Sequence, residues 1–124
     1  TQRAAIAALT GDLTASQDML KAFTDRRKRI LGLLKEIPGV QCAEPDGAFY
    51  VFPKVDAYFG KKHGDTVIAN ADDLCMFLLN TAHVSTVTGT AFGEPTCIRI
   101  SFANSMTNIE KALERIKKAL LALQ

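Results

Sequence analysis

The chain has 124 residues, and its 15 basic and 13 acidic side chains give a formal net charge of +2. This length suits one domain, and a hydrophobic share of 48% with a charged share of 23% is typical of globular chains. The near-neutral charge speaks against a nucleic-acid interface. The lack of an apolar run of about 18 residues speaks against a membrane span. We therefore expect one globular domain over residues 1–124, with neither a nucleic acid nor a membrane as partner.

The cysteines and histidines show no metal or disulfide pattern. Cys42, Cys75 and Cys97 are scattered and form no Cys-x-x-Cys pair, which favours free thiols in a reducing, cytoplasmic setting. His63 and His83 stand far from each other and lack ligand spacing to the cysteines, so no metal site is expected. The first five residues do not resemble a signal peptide. Because the chain begins without Met, we expect it to be part of a longer product.

The N-terminal third is predicted to be helical. The Ala-rich segment 3–10 predicts a helix that ends at Gly11. A second helix is expected to begin at Asp12 or Thr14 and to end at the Pro38-Gly39 pair, with apolar residues at helical spacing. The basic run 26–29 lies inside it. We interpret this run as a solvated helix face with Asp25 as a partial partner, in preference to a nucleic-acid or membrane contact.

The middle of the chain alternates between strand and turn patterns. Residues 40–43 predict a short strand, and 44–47 have turn chemistry. Residues 48–52 are aromatic and β-branched, so they predict the strongest strand. The rings of Phe49, Tyr50 and Phe52 could line a pocket, and a place in the core is favoured. Residues 54–70 are polar and without period, and predict a surface loop.

The C-terminal half predicts two helices and two strands. Asn70 is expected to cap a helix over 71–82, followed by a strand at 84–87, a loop at 88–95 and a strand at 97–103. Thr107 and Glu110 predict a capping box for a last helix, in which Glu114 and Lys118 would pair. This order predicts an α/β (α+β) two-layer sandwich, a small mixed or antiparallel sheet with helices packed mainly on one face and the 71–82 helix as a crossover.

Arg99 is the most informative single residue. Alternation along its strand places Ile98 and Ile100 on the core face and Arg99 on the opposite face. A guanidinium at the middle of a strand is costly to cover unless it is paired, and its planar fork suits a carboxylate. Two interpretations stay open on this evidence. Arg99 binds an anion in a cleft, or it is an exposed strand residue or part of an internal ion pair.

Other candidates carry less chemistry. The segment 88–93 has two glycines but matches neither a P-loop nor a dinucleotide fingerprint, so an ordinary connection is favoured. His83 is expected to cap or pack at a helix end. Asp72 and Asp73 suit the first turn of a helix better than a catalytic pair. No nucleophile has an evident base, and the residues alone therefore identify a candidate carboxylate site without a reaction centre.

Several segments, in order along the whole chain, resemble the C-terminal part of class I, fold type I pyridoxal-phosphate-dependent aminotransferases, and most of all the bacterial aspartate aminotransferases. These segments are Gln2-Arg3-Ala4-Ala5, Arg26-Arg27, Pro45-Asp46-Gly47-Ala48-Phe49-Tyr50-Val51-Phe52-Pro53, Asn70-Ala71-Asp72-Asp73-Leu74, Ala82-His83-Val84, Ala91-Phe92-Gly93 and Ile98-Arg99-Ile100-Ser101-Phe102-Ala103-Asn104-Ser105. Thr88-Gly89 stands where the family usually has Pro-Gly or Gly-Gly, which is a mild departure.

The resemblance implies a role for Arg99 and a division of labour within a larger enzyme. It implies that Arg99 binds the substrate's α-carboxylate. It also implies that the catalytic lysine and most cofactor contacts lie upstream, in a large domain that this chain lacks. Residues 1–124 would then be the small C-terminal domain, which closes over the active site. The fragment would contain no catalytic residue, bind no pyridoxal phosphate and be inactive alone.

The same resemblance implies partners for the full-length enzyme. These are an amino acid and a 2-oxo acid, the enzyme's own large domain and a second copy in a homodimer. Aspartate with 2-oxoglutarate is the expected pair, and aromatic or branched-chain substrates remain open. Two alternatives differ in kind. One is a stand-alone carboxylate-binding module, and the other is an assembly module that uses the basic N-terminal helices.

Overall fold

Four helices and five short strands form the fold in the computed structural model, which describes residues 1–124. The helices are α1 (Gln2–Thr10), α2 (Thr14–Lys35), α3 (Ala71–Phe77) and α4 (Met106–Leu121). The strands are β1 (Tyr50–Val51), β2 (Lys62–His63), β3 (Thr66–Val67), β4 (Val87–Thr88) and β5 (Ile98–Ser101). A π-helical turn, Leu78–Ala82, continues α3, and 3-10 turns cover Asp56–Tyr58 and Gly89–Phe92.

The main sheet has the order β1-β5-β4, and both of its pairings are antiparallel. Tyr50 is opposite Ser101, and Val87 is opposite Arg99. Because β1 and β4 both run against β5, they are parallel to each other, and the chain between them crosses over through α3. β2 and β3 form a separate hairpin. The predicted small sheet and the crossover helix are both confirmed.

One hydrophobic core lies between the main sheet and the helices. β5 contributes Ile98 and Ile100 to it, and Phe102 follows directly. α4 contributes a stripe at helical spacing, which consists of Ile109, Leu113, Ile116 and Leu120. The predicted alternation along β5 and the amphipathic pattern of α4 are therefore both confirmed. No helix combines the length and hydropathy that crossing a lipid bilayer requires.

The N-terminal helices agree with the prediction in position but not in all contacts. α1 buries no residue, and the Asp12 carboxylate accepts a hydrogen bond from the Thr14 backbone N–H at 2.9 Å where α2 begins. The basic run does not pair with Asp25. Arg27 lies 3.6 Å from Glu44, and Arg29 donates to Glu110 at 2.7 Å. The run therefore ties α2 to neighbouring segments.

The predicted strands at 40–43, 48–52 and 84–87 are shortened. Ala48 has a φ of 64°, a left-handed conformation that a strand does not accommodate, and β1 begins only at Tyr50. Residues 40–43 retain a single bridge, from Gln41 to Lys54. His83 ends the π-helical turn with a φ of 55°, so the chain straightens later than expected and β4 begins at Val87. The prediction that His83 occupies a helix end is confirmed.

Three local predictions are wrong. The segment 54–70 contains the β2–β3 hairpin and a 3-10 turn, not only a loop. The Ser105 hydroxyl, not Thr107, caps α4 by accepting from the Asn108 N–H at 3.2 Å. With the cap at Ser105, Glu110 lies beyond the position that closes a capping box, and it accepts from Arg29 instead. Lys118 and Glu114 do not form the predicted ion pair, and neither residue takes part in any salt bridge of the chain.

Gly89 is required by close backbone contacts. A Cβ at this position would lie 2.1 Å from the Glu94 carbonyl oxygen and 2.4 Å from that of Cys97. A Cβ at Gly32, inside α2, would have no neighbouring atom within 4 Å.

We predict that Gly89→Ala lowers the free energy of unfolding by at least about 1 kcal/mol, because the β4–β5 connection must shift. Gly32→Ala should raise it by about 0.5–1 kcal/mol through helix propensity.

Urea titrations of the two variants and the parent chain measure both effects. A Gly89→Ala chain as stable as the parent would contradict the account of this connection.

Candidate functional site

Arg99 lies at the centre of the sheet face that is turned away from the core. Its neighbours in β5, Ile98 and Ile100, are buried, whereas Arg99 is half-buried. The central position of β5 in the sheet places strands on both sides of Arg99. The side chain therefore projects from the central strand of the sheet, on the face opposite the helices.

Two aromatic rings flank the guanidinium of Arg99. Its central carbon, Cζ, lies 4.7 Å from the ring centroid of Phe92 and 5.4 Å from that of Tyr50. Both distances are within the range of cation–π attraction. Phe52 packs edge-on against Phe92, with centroids 6.0 Å apart. The four side chains line an open cleft of about 250 Å³.

No acidic side chain pairs with Arg99. The salt bridges of the chain are formed by Arg27, Arg29, Lys54 and Lys117. The internal ion pair considered from the sequence is therefore absent. A guanidinium whose N–H groups have no carboxylate partner, held between aromatic rings, has the donors and the fixed plane needed to bind an external carboxylate through two hydrogen bonds.

Tyr50 and Phe52 line this face beside Arg99 and do not lie in the core, the location favoured from the sequence. Phe49 lies elsewhere, with its ring 6.4 Å from that of Phe23 in α2. Val51 is the buried residue of β1, while Phe49 and Tyr50 are 52% and 40% exposed. Alternation about the buried Val51 explains the difference, because it places Tyr50 and Phe52 on the face opposite the core. The sequence does not identify Phe92 as a wall of the cleft. Its signals are a large ring between Ala91 and Gly93 in a loop of small residues, and its place in one of the segments that carry the family resemblance.

The loop that carries Phe92 is closed by its own hydrogen bonds. The Gly89 N–H donates to the Cys97 carbonyl at 2.8 Å, and the Glu94 N–H donates to the Gly89 carbonyl at 3.0 Å. The Thr88 hydroxyl accepts from the Thr90 N–H at 3.2 Å. Gly89 therefore allows the backbone segments of this loop to pack closely. The loop in turn holds Phe92 over Arg99.

The remaining polar candidates have structural roles. Asp73 donates its N–H to the Asn70 side chain at 2.9 Å, so Asn70 caps α3 as predicted. No group of three or more potential metal ligands is present. Burial raises the pKa of the Cys42, Cys75 and Cys97 thiols, so none of them is an activated nucleophile.

The lysines do not fit the attachment point of a carbonyl cofactor. Such a lysine is desolvated or placed beside another cation, so that its amine is neutral enough to react. No lysine of this chain is buried. The pKa of Lys54 is raised by its hydrogen bond to Asp56, at 3.0 Å, which is the opposite of activation.

The raised thiol pKa values predict slow alkylation. Below the pKa of a thiol, the reactive thiolate fraction falls about tenfold for each unit by which that pKa rises. We expect iodoacetamide to modify the folded chain more slowly than N-acetylcysteine at pH 8, and the rate to keep increasing at more alkaline pH. Unfolding in urea should abolish the difference. A cysteine that reacts faster in the folded chain than in urea would show an activated nucleophile and contradict this assignment.

Comparison with known proteins places the whole chain in one family. Residues 1–116 match the family model described as aminotransferase class I and II. A bifunctional aspartate aminotransferase and glutamate/aspartate-prephenate aminotransferase of Petunia hybrida is 44% identical over 130 residues, which cover 100% of this chain and 27% of that protein. An aspartate aminotransferase of Streptomyces avermitilis is 43% identical over 116 residues, covering 94% of this chain and 28% of that protein.

Solved structures agree in fold. The aspartate aminotransferase of Rhizobium meliloti superposes with a TM-score of 0.93 at 36% identity, over 99% of this chain and 31% of its own. An alanine aminotransferase of Pyrococcus furiosus has a TM-score of 0.84 at 34% identity, over 95% of this chain and 28% of its own. The chain thus spans less than a third of the length of these relatives. With sequence and fold in agreement, the chain belongs to the class I and II aminotransferases.

Proposed function

We propose that the chain is the small C-terminal domain of a pyridoxal-phosphate-dependent aminotransferase and that Arg99 binds the α-carboxylate of its substrate. The observation that carries this proposal is the geometry of Arg99, half-buried and without an acidic partner between Tyr50 and Phe92. Family membership supplies the reaction class. Relatives named as aspartate aminotransferases support aspartate and 2-oxoglutarate as the substrate pair.

The aromatic walls give the carboxylate contact its strength. The rings of Tyr50 and Phe92 lie 5.4 and 4.7 Å from the central carbon of the guanidinium and place apolar surface next to it in an open cleft. An ion pair is stronger in such surroundings than in bulk water. The rings also restrict the rotamers of Arg99, so less side-chain entropy is lost when the substrate binds. Tyr50 and Phe92 thus act as positioning residues.

Binding of the carboxylate would orient the rest of the substrate. With one end held by two parallel hydrogen bonds, the amino group and the α-hydrogen of an amino acid occupy restricted positions relative to the sheet. Positioning of this kind lowers reaction barriers by several kcal/mol, about 7–11 in the best-oriented intramolecular cases. The cleft is open on the side away from the core, and we propose that the domain closes there over the substrate.

The cofactor's attachment point is assigned outside this chain. Because no lysine here is buried, pyridoxal phosphate would be held by a large domain elsewhere in the longer protein, where it serves as the electron sink of the reaction. The fragment would therefore bind no pyridoxal phosphate and would be inactive alone. In the full-length enzyme we further propose a cytoplasmic homodimer, in which the dimer contact comes mostly from the large domain.

The role of Arg99 predicts a kinetic defect in the full-length enzyme that contains this domain. Arg99→Ala should lower kcat/KM for aspartate by at least a hundredfold, because both hydrogen bonds to the carboxylate are lost. Arg99→Lys should recover only part of the loss, since an ammonium group cannot replace the planar fork. Steady-state assays with aspartate and with alanine, whose side chain carries no charge, should show loss for both, because both carry an α-carboxylate.

Arg29→Ala is the matched control, because Arg29 pairs with Glu110 on the helix side of the fold. It should leave the kinetics within about twofold of the parent, because an exposed ion pair contributes little. Unchanged kinetics for Arg99→Ala would remove Arg99 from the site.

The absence of a suitable lysine predicts the behaviour of the isolated chain. After incubation with pyridoxal phosphate and borohydride reduction, intact-mass and peptide analysis should show no adduct or a scatter over exposed lysines. The chain should also show no transamination of aspartate and 2-oxoglutarate. A single stoichiometric adduct at one lysine, or measurable turnover, would place the cofactor site in this chain and overturn the assignment of a separate large domain.

A further inference from the structure

A second cleft lies on the helix side of the fold. It has a volume of about 420 Å³, larger than the cleft at Arg99. Its polar lining comes from three elements, with His63 from β2, Thr81 and His83 from the end of the π-helical turn, and Arg115 and Lys118 from α4. Small alanine side chains form the rest of the surface. The only two histidines of the chain are thus brought together with two permanent cations.

The positive charge of this cleft is not compensated by acidic side chains. No aspartate or glutamate lines it. Arg115 and Lys118 are absent from all salt bridges, which instead engage Arg27, Arg29, Lys54 and Lys117. Glu114, the expected partner of Lys118, lines a different groove, together with Lys117 and Arg29. Lys118 is therefore free to face the second cleft.

Helix ends offset only part of this charge. The π-helical turn ends at His83 and α4 ends at Leu121, and the carbonyl end of a helix carries about half a negative charge. Two such ends amount to at most about one negative charge against the two full positive charges of Arg115 and Lys118. The imidazoles of His63 and His83 add further N–H donors.

From this arrangement we propose that the cleft formed by His63, Thr81, His83, Arg115 and Lys118 binds a small ligand that carries two or more linked phosphate groups. The guanidinium and ammonium groups, the imidazole N–H groups and the Thr81 hydroxyl are the donors that phosphate oxygens accept from. The volume lies within the range of about 300–1,000 Å³ typical of small-molecule sites. The site is separate from Arg99, because α4 packs against the core face of the sheet and Arg99 lies on the opposite face.

Isothermal titration of the 124-residue chain with inorganic tripolyphosphate, at neutral pH and low salt, tests the proposal directly. The parent chain should bind with a defined stoichiometry of one. The variant Arg115→Gln/Lys118→Gln should bind at least tenfold more weakly. Replacing the histidines as His63→Gln/His83→Asn should weaken binding several-fold. Asn is chosen at position 83 because it tolerates the left-handed backbone found there.

The matched control is Lys21→Gln/Lys28→Gln, which removes the same charge from two exposed positions of α2. It should bind as the parent does. Equal loss in the control and the cleft variant would show diffuse attraction to net charge and overturn the proposal. So would parent-like binding by the cleft variant, or no binding of tripolyphosphate by the parent. Circular dichroism checks that each variant is folded, and Lys118→Gln alone replaces the double variant if that one is not.

Discussion

The two faces of β5 are the constraint on which the rest of the structure depends. One face supplies Ile98 and Ile100 to the core, and this burial joins the strand to the hydrophobic cluster that α2 and α4 also enter. The opposite face then has to present Arg99, because side chains alternate along a strand. The hydrophobic contacts of one face thus determine where the charged group of the other face is held. The position of Arg99 is in this sense a consequence of packing.

The aromatic rings extend this link from the core to the cleft. Phe102 packs near Phe23 of α2, with ring centroids 6.1 Å apart, and Phe23 lies 6.4 Å from Phe49. Phe49 meets Tyr50 edge-on at 5.8 Å, and Tyr50 flanks Arg99. The rings therefore form a continuous series of contacts from the long second helix to the guanidinium. A shift of α2 relative to the sheet would be transmitted to the position of Arg99 by direct contact.

Patterns that reflect burial could be predicted from the sequence, whereas those that depend on neighbouring segments could not. The stripe of α4 and the alternation of β5 are periodic, and both are confirmed. The extent of β1 depends on the left-handed backbone of Ala48, which its residue type does not indicate. The cap of α4 is at Ser105, two residues before the predicted position, and Glu110 accepts from Arg29, a residue far away in sequence. The position of Phe92 over Arg99 likewise depends on the fold of the 88–94 connection.

The most direct test of the central proposal is a crystal structure of the full-length enzyme with bound succinate, a dicarboxylate that cannot react. The account predicts one carboxylate within about 3 Å of two guanidinium nitrogens of Arg99, the distance of a charge-assisted hydrogen bond. It also predicts the rings of Tyr50 and Phe92 on either side. Succinate bound with both carboxylates on other residues, and Arg99 in contact with solvent or protein alone, would contradict it.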